Sequence, residues 1–158
     1  AYKCTKWIFQ KYYQMNKLLN LFFLLISFSV FSQIKTDWIE LRDVHYKSQY
    51  NEEFDSYFQV PFFGKNVEAL NNKEVKITGY MLTLAPDEGV YVLSQNPYAD
   101  CFFCGYGGPE TAIELVLKPG HDDFLMDELV TVTGTLKLIY DDITSGVYRM
   151  INATAVKE

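Results

Sequence analysis

The stretch VKITGYMLTL, residues 75–84, decides the fold predicted for this chain. Val75, Ile77, Gly79 and Met81 alternate with a second set of side chains, and a period of two is typical of a β-strand with one face in a core. A glycine in the middle of a strand marks a bulge or a sharp bend. The stretch therefore predicts a strand in a sheet that coils on itself.

A second long stretch, LVTVTGTLKLIY, has the same pattern, with Gly134 near its middle. Turn residues follow both strands, at Pro86 to Gly89 and at Asp141 to Gly146, and such clusters separate neighbouring strands. Shorter runs of β-forming residues occupy the remaining intervals. The predicted strands are residues 75–84, 90–95, 112–117, 129–140 and 147–156.

Five strands, two of them bent, predict a mainly β fold, a five-stranded OB-like Greek-key barrel, formed by residues 75–158. An immunoglobulin-like sandwich would need about seven strands, and only a doubtful sixth is found, near Trp38. The connection at residues 118–128 has the length for a short helix. Residues 33–74 are interpreted as an N-terminal extension packed on the barrel, with one helical turn before Asn71.

The beginning of the chain has the pattern of an export signal. Residues 15–32 contain a lysine, an apolar run from Leu18 to Phe31 and a small residue, Ser32, which together are typical of a cleaved signal peptide. We expect an exported protein, periplasmic or secreted, with no membrane insertion after cleavage; a retained anchor is the less favoured alternative. Residues 1–14 are interpreted as an over-extended reading frame or a cloning artefact.

Charge and composition limit the function. The whole chain has a net charge of −6, and its basic residues at positions 3, 6, 11 and 17 precede the predicted cleavage site, so residues 33–158 carry 10 basic and 20 acidic side chains. A chain this acidic repels a phosphate backbone, which excludes nucleic acid as the expected partner. His45 and His121 are the two histidines, and no catalytic triad is recognisable, so a binding protein is favoured over an enzyme.

The stretch CFFCGYGGPE, residues 101–110, points to chemistry. In a Cys-x-x-Cys-Gly turn the thiolates of Cys101 and Cys104 can face one ion, and zinc or copper suits such soft ligands. Two thiolates are half of the usual set of four ligands. His45 and Glu110 are the candidates for additional ligands, and a dimer formed loop to loop would supply four thiolates.

A disulfide between Cys101 and Cys104 is an equally weighted alternative, because paired cysteines outside the cytosol tend to oxidise. A thioredoxin-like enzyme would place the pair at the start of a helix. The residues that follow do not open a helix, so a structural disulfide is favoured over a catalytic one. These loop residues are Gly105, Gly107, Gly108 and Pro109.

These motifs resemble a family of exported bacterial proteins of unknown function. The resemblance rests on Trp38-x-x-Leu41-x-x-Val44, on the Gly-Tyr-Met of the first barrel strand, and on Leu-Ser ahead of the Cys loop. It implies an OB-like barrel with soft metal ligands in the loop between barrel strands two and three. Other members have a cysteine followed by histidine and prolines there, whereas this chain has Cys101 and Cys104.

Three functions are therefore expected, in this order. The first is an exported binding or accessory protein that holds zinc or copper in the Cys loop. The second is an OB-like interaction module with a structural disulfide, which binds a protein or a small ligand on the face that OB domains commonly use. The third is a thiol redox protein.

Overall fold

The computed structural model describes residues 33–101, 105–142 and 145–158. The predicted signal peptide at 15–32 and the segment at 1–14 lie outside the described residues. Cys104 lies outside them as well. None of the helices in the described part of the chain is long and apolar enough to cross a membrane.

The described residues form a closed five-stranded barrel with one additional strand, which confirms the predicted OB-like fold. The strands are β1 (Ile34–Lys35), β2 (Val44–Asn51), β3 (Ser56–Phe63), β4 (Glu74–Ala85), β5 (Val90–Ser94), β6 (Ala112–Leu117), β7 (Glu128–Leu138) and β8 (Tyr148–Lys157). The barrel strands follow the order β4-β5-β6-β8-β7, and β7 pairs with β4 to close the barrel. The β6–β8 pair is parallel and the other four barrel pairs are antiparallel.

The core lies inside the barrel and follows the period of two seen in the sequence. In β4, Val75, Ile77 and Met81 are buried while Lys76 and Thr78 are exposed, because alternate side chains of a strand point to opposite faces. Strand β7 repeats the pattern. Its buried residues, Val130, Val132, Leu136 and Leu138, belong to the same apolar cluster.

Both mid-strand glycines lie where the chain leaves no room for a side chain. A Cβ at Gly134 would lie 2.7 Å from Cγ of Met150, and one at Gly79 would lie 2.6 Å from the backbone oxygen of Ser94. Opposite Gly134, the register of β8 shifts and Asn152 adopts a φ of +52°. The glycine thus faces a β-bulge, which lets the strands curve into a barrel.

The N-terminal extension, residues 33–74, contains more helix and strand than the sequence predicted. Trp38 belongs to a short helix, α1 (Trp38–Leu41), and not to a sixth barrel strand. Asp37 precedes it and accepts hydrogen bonds from the backbone N–H groups of Ile39 and Glu40, as expected of a helix N-cap. The predicted helical turn is present as α2 (Lys65–Glu68).

Between these helices, β2 and β3 form an antiparallel hairpin that the sequence analysis did not predict. The extension also contributes to the barrel's core, through Leu41, Val67 and Leu70. Trp38 packs against the same apolar cluster, and its indole Nε1 donates a hydrogen bond to the backbone oxygen of Thr78, at 2.8 Å. Helices and barrel therefore share one apolar interior.

The predicted helix in the connection before β7 is absent: residues 118–127 contain no helix. The helix was predicted at residues 123–129, and within that segment Asp127 has a φ of +63°, in the left-handed region that does not continue a helix. The backbone N–H of Asp127 donates to the oxygen of Met81, in β4, at 2.9 Å. Phe124 is buried in the core, so tertiary contacts outweigh the local helical tendency.

Candidate functional site

The Cys loop folds back over the outside of the barrel. Cys101 is 1 % exposed and packs with Leu82 and Val92, which belong to β4 and β5 and are also buried. Its backbone oxygen accepts a hydrogen bond from the N–H of Tyr106, at 3.3 Å. In this environment the side chain of Cys101 packs as a small apolar group does, and it anchors this end of the loop to the barrel.

The second half of the loop is shaped around Glu110, in a single 3-10 turn at Pro109–Thr111. A Cβ at Gly108 would overlap the Glu110 carboxylate, and Gly107 has a φ of +84°, in the left-handed region that favours glycine. Oε2 of Glu110 accepts a hydrogen bond from the hydroxyl of Tyr46, at 3.0 Å. The Gly-Gly-Pro-Glu segment therefore connects the loop to hairpin β2–β3.

Two tyrosines beside Glu110 keep their protons well into the alkaline range. Burial, and then the charge of Glu110, raise the pKa of Tyr46. The same two causes raise the pKa of Tyr148, whose hydroxyl donates to the backbone oxygen of Leu41 at 2.6 Å. Both phenols act as hydrogen-bond donors that fasten the extension to the barrel.

His45 and Glu110, the two predicted additional ligands, are not brought together. Glu110 is bonded to Tyr46, and His45 is the preceding residue of β2, so its side chain points to the opposite face of the hairpin. There it is exposed and stacks on Phe62 with the ring centres 6.3 Å apart. Within the described ranges no three His, Cys, Asp or Glu side chains are grouped as metal ligands.

A groove of about 680 Å³ lies on the outer face of β5 and β6. Hairpin β2–β3 forms one wall through Phe58 and Val60, and the turns after β4 and β7 contribute Gly89 and Tyr140. The face of barrel strands two and three, with these same two turns, is where OB domains commonly bind ligands. The groove thus has the position of an OB binding site.

The groove is lined mainly by apolar side chains. Val90 and Val116, on its floor, are 41 % and 51 % exposed, although valine is usually buried. Ligand sites in proteins are typically roughly 300–1,000 Å³ and largely apolar. Size and lining therefore suit a small organic molecule. The apolar residues that line the groove include Phe58, Val60, Leu84, Val90, Val116 and Ile139.

An ion pair orders one end of the groove. Nη2 of Arg149 lies 2.7 Å from Oε2 of Glu114, and Arg149 also donates to Oγ of Ser145 at 2.9 Å. The other carboxylate oxygen of Glu114 accepts the backbone N–H of Gly146 at 2.6 Å. These contacts hold the end of the β7–β8 connection against the barrel.

The barrel face was predicted from sequence as an alternative binding site. Hairpin β2–β3, which forms one wall of the groove on that face, was not predicted. The signal in residues 44–63 is weak, because many polar side chains interrupt the alternation. Asn51 is a local indication of the turn between β2 and β3: its side-chain oxygen accepts hydrogen bonds from the N–H groups of Glu53 and Phe54, as asparagine often does in turns.

Comparisons with known proteins support the fold and add no activity. No profile of a known protein family matches the chain, and no curated protein matches it. A solved structure that is similar to it is a DUF3299 family protein from Pseudomonas aeruginosa, with 15 % sequence identity and a TM-score of 0.50. The similarity covers 80 % of this chain and 98 % of that one. At this identity the two proteins share a fold, and that fold occurs in a family without an assigned function.

Proposed function

We propose that the protein is an OB-type binding module that holds a small organic ligand in the groove between hairpin β2–β3 and strands β5 and β6. The observation that carries the proposal is the groove itself, about 680 Å³ in volume. It lies on the face that OB domains commonly use, and several of its apolar side chains remain partly exposed. A bound apolar molecule would remove these side chains from water, which is favourable in proportion to the area covered.

The acidic character of the chain narrows the ligand class. OB domains bind oligonucleotides on this face, but 20 acidic against 10 basic residues in positions 33–158 disfavour a phosphate backbone. The lining groups that could act in catalysis are engaged with one another: the hydroxyl of Ser145 is bonded to Asp142 and to Arg149, and Arg149 is paired with Glu114. Binding without chemistry is therefore the function that the site supports best.

The test is binding of N-phenyl-1-naphthylamine, an uncharged dye whose fluorescence rises in apolar sites. We expect saturable binding of one dye per chain. Val116→Lys should weaken binding at least tenfold, because it places a charge on the groove floor. Val156→Lys is the matched control: Val156 is 65 % exposed and does not line the groove.

The control variant should bind the dye as the unchanged protein does. Both valines are well exposed, so neither change should unfold the barrel. Absence of saturable binding, or equal loss in the two variants, would refute the proposed site.

A further inference from the structure

From the charges around the groove we infer that its ligand is an amphipathic cation, an apolar molecule that carries a positively charged amine or ammonium group. This inference rests on the proposed function and specifies the ligand class of the same site. The inference depends on the positions of the charged residues in the groove lining, on the ion pair that neutralises one of the carboxylates, and on the aromatic residue next to the other carboxylates.

Acidic groups outnumber basic ones in the lining of the groove. Glu114, Asp141 and Asp142 contribute carboxylates, and Arg149 is the basic residue in the described lining. Arg149 is paired with Glu114 at 2.7 Å, which leaves the remaining lining charge negative. An apolar site whose lining has more acidic than basic side chains favours cations, because low-dielectric walls strengthen the local field.

The two aspartates follow β7, at the end of the groove formed by the β7–β8 connection. Asp141 is exposed and, within the part of the chain that the structure describes, has no hydrogen bond or ion pair. Its charge is therefore available to a ligand, and no ion pair within the protein has to be broken before a cation binds.

Tyr140 lies next to Asp141 and is 45 % exposed. Phe63 contacts it edge to face, with the ring centres 5.0 Å apart, and so fixes the ring at this end of the groove. Aromatic rings attract ammonium groups, and a tyrosine beside a carboxylate is a favourable combination for a cation. The hydrocarbon part of the ligand would then lie along the floor of β5 and β6.

The charge of the whole described region acts in the same direction. Residues 33–158 carry a net charge of −10, which raises the local concentration of cations and repels anions before any contact forms. The experiment therefore needs two substitutions that each remove one negative charge, one in the groove and one, as a control, outside it.

The experiment uses two probes that displace N-phenyl-1-naphthylamine and differ in the sign of their charge. Decyltrimethylammonium and decanoate share a hydrocarbon chain, and uncharged 1-decanol serves as the neutral reference. At low ionic strength and below micelle-forming concentrations, we expect the ammonium probe to compete at a concentration at least tenfold lower than decanoate. Adding salt should reduce this difference.

Asp141→Asn should weaken decyltrimethylammonium binding threefold or more and leave 1-decanol unchanged. Asp122→Asn is the matched control, because it removes one negative charge at an exposed residue that does not line the groove. It should change the affinity for the ammonium probe less than twofold.

The outcomes separate the two proposals. If the dye does not bind, the groove is not a ligand site and the proposed function fails. If the dye binds but decanoate competes as well as the ammonium probe does, the groove stands and the cation inference is wrong. Equal effects of Asp141→Asn and Asp122→Asn would also overturn it, since they would assign the preference to the total charge.

Discussion

At the scale of single residues, Cys101 has a role that does not require an ion. Its side chain is buried against Leu82 and Val92, on the outer face of β4 and β5. A thiol in such surroundings contributes to stability by packing, as a small apolar side chain does. The predicted metal site and the predicted disulfide both involve Cys104, outside the described residues, so they remain predictions.

The packing role makes a prediction about two substitutions. Cys101→Ala should lower the free energy of unfolding by about 1 kcal/mol through lost contacts. Cys101→Ser should lower it by about 1–3 kcal/mol because a hydroxyl is then buried in an apolar cluster. Urea unfolding in the presence of EDTA and a reducing agent measures both without a contribution from metal or disulfide.

A bound ion would give a different result. EDTA would then lower the stability of the unchanged protein to that of the variants, and the two substitutions would have no further effect once EDTA was present. Metal content measured on the protein before chelation provides the parallel control.

The individual site residues could be predicted from sequence only in part. The pair of cysteines and the glycines after it were visible, but burial of Cys101 depends on a loop folding back onto β4 and β5. The partner of Glu110 is Tyr46, 64 positions away, and no local pattern encodes that contact. His45 and Tyr46 point to opposite faces because they are neighbours in a strand, and β2 was not predicted from sequence.

At the scale of secondary-structure elements, the bend in β7 is the feature on which barrel closure depends. Gly134 faces the bulge of β8, and a Cβ there would lie 2.7 Å from Cγ of Met150 and 3.0 Å from Cα of Ala153. Part of this crowding is with backbone, so side-chain rotation cannot relieve all of it.

We therefore expect Gly134→Ala to reduce the free energy of unfolding by about 1–3 kcal/mol, the usual cost of overpacking. Gly146→Ala is the control, since its Cβ would lie no closer than 3.3 Å to a described neighbour, Oε1 of Glu114. Urea unfolding of both variants gives the comparison. Equal stabilities of the two variants would mean that β7 can shift to accept a side chain and that the bend does not need glycine.

The barrel strands could be predicted from sequence because each buries one face in a shared core and so keeps a period of two. Their ends agree with the structure within two residues: β7, for example, was predicted at 129–140 and spans Glu128–Leu138. Hairpin β2–β3 has no such core, since none of its side chains is fully buried. Without burial on one face there is no strong periodicity to detect, and the hairpin was missed for that reason.

At the scale of the whole molecule, the extension and the barrel form one cooperative structure. Leu41, Val67 and Leu70 of the extension lie in the same apolar cluster as the barrel residues. The hydroxyl of Tyr148, in β8, donates to the backbone oxygen of Leu41 at 2.6 Å. Unfolding of either part would expose this common core, so we expect a single transition.

Tyr148 also gives the described structure an alkaline limit. Burial and the nearby charge of Glu110 raise its pKa in the folded state above the value of about 10 that an unfolded chain has. Below about pH 10 the phenol is protonated in both states and its contribution to stability is constant. Above it the unfolded chain releases the proton first, so each further pH unit lowers the free energy of unfolding by about 1.4 kcal/mol.

Tyr148→Phe should therefore have opposite effects in two pH ranges. At pH 8 the variant should be less stable by about 1–2 kcal/mol, because the oxygen of Leu41 loses its buried donor. Between pH 10 and 11.5 its stability should fall less steeply than that of the unchanged protein, since one titrating group is missing. Tyr57→Phe is the control: Tyr57 is 70 % exposed, so this variant removes a tyrosine hydroxyl without changing the core. Parallel pH profiles for the unchanged protein and Tyr148→Phe, measured by urea unfolding, would show that the phenol ionises equally in both states. Equal stabilities at pH 8 would show that its hydrogen bond does not hold the extension on the barrel.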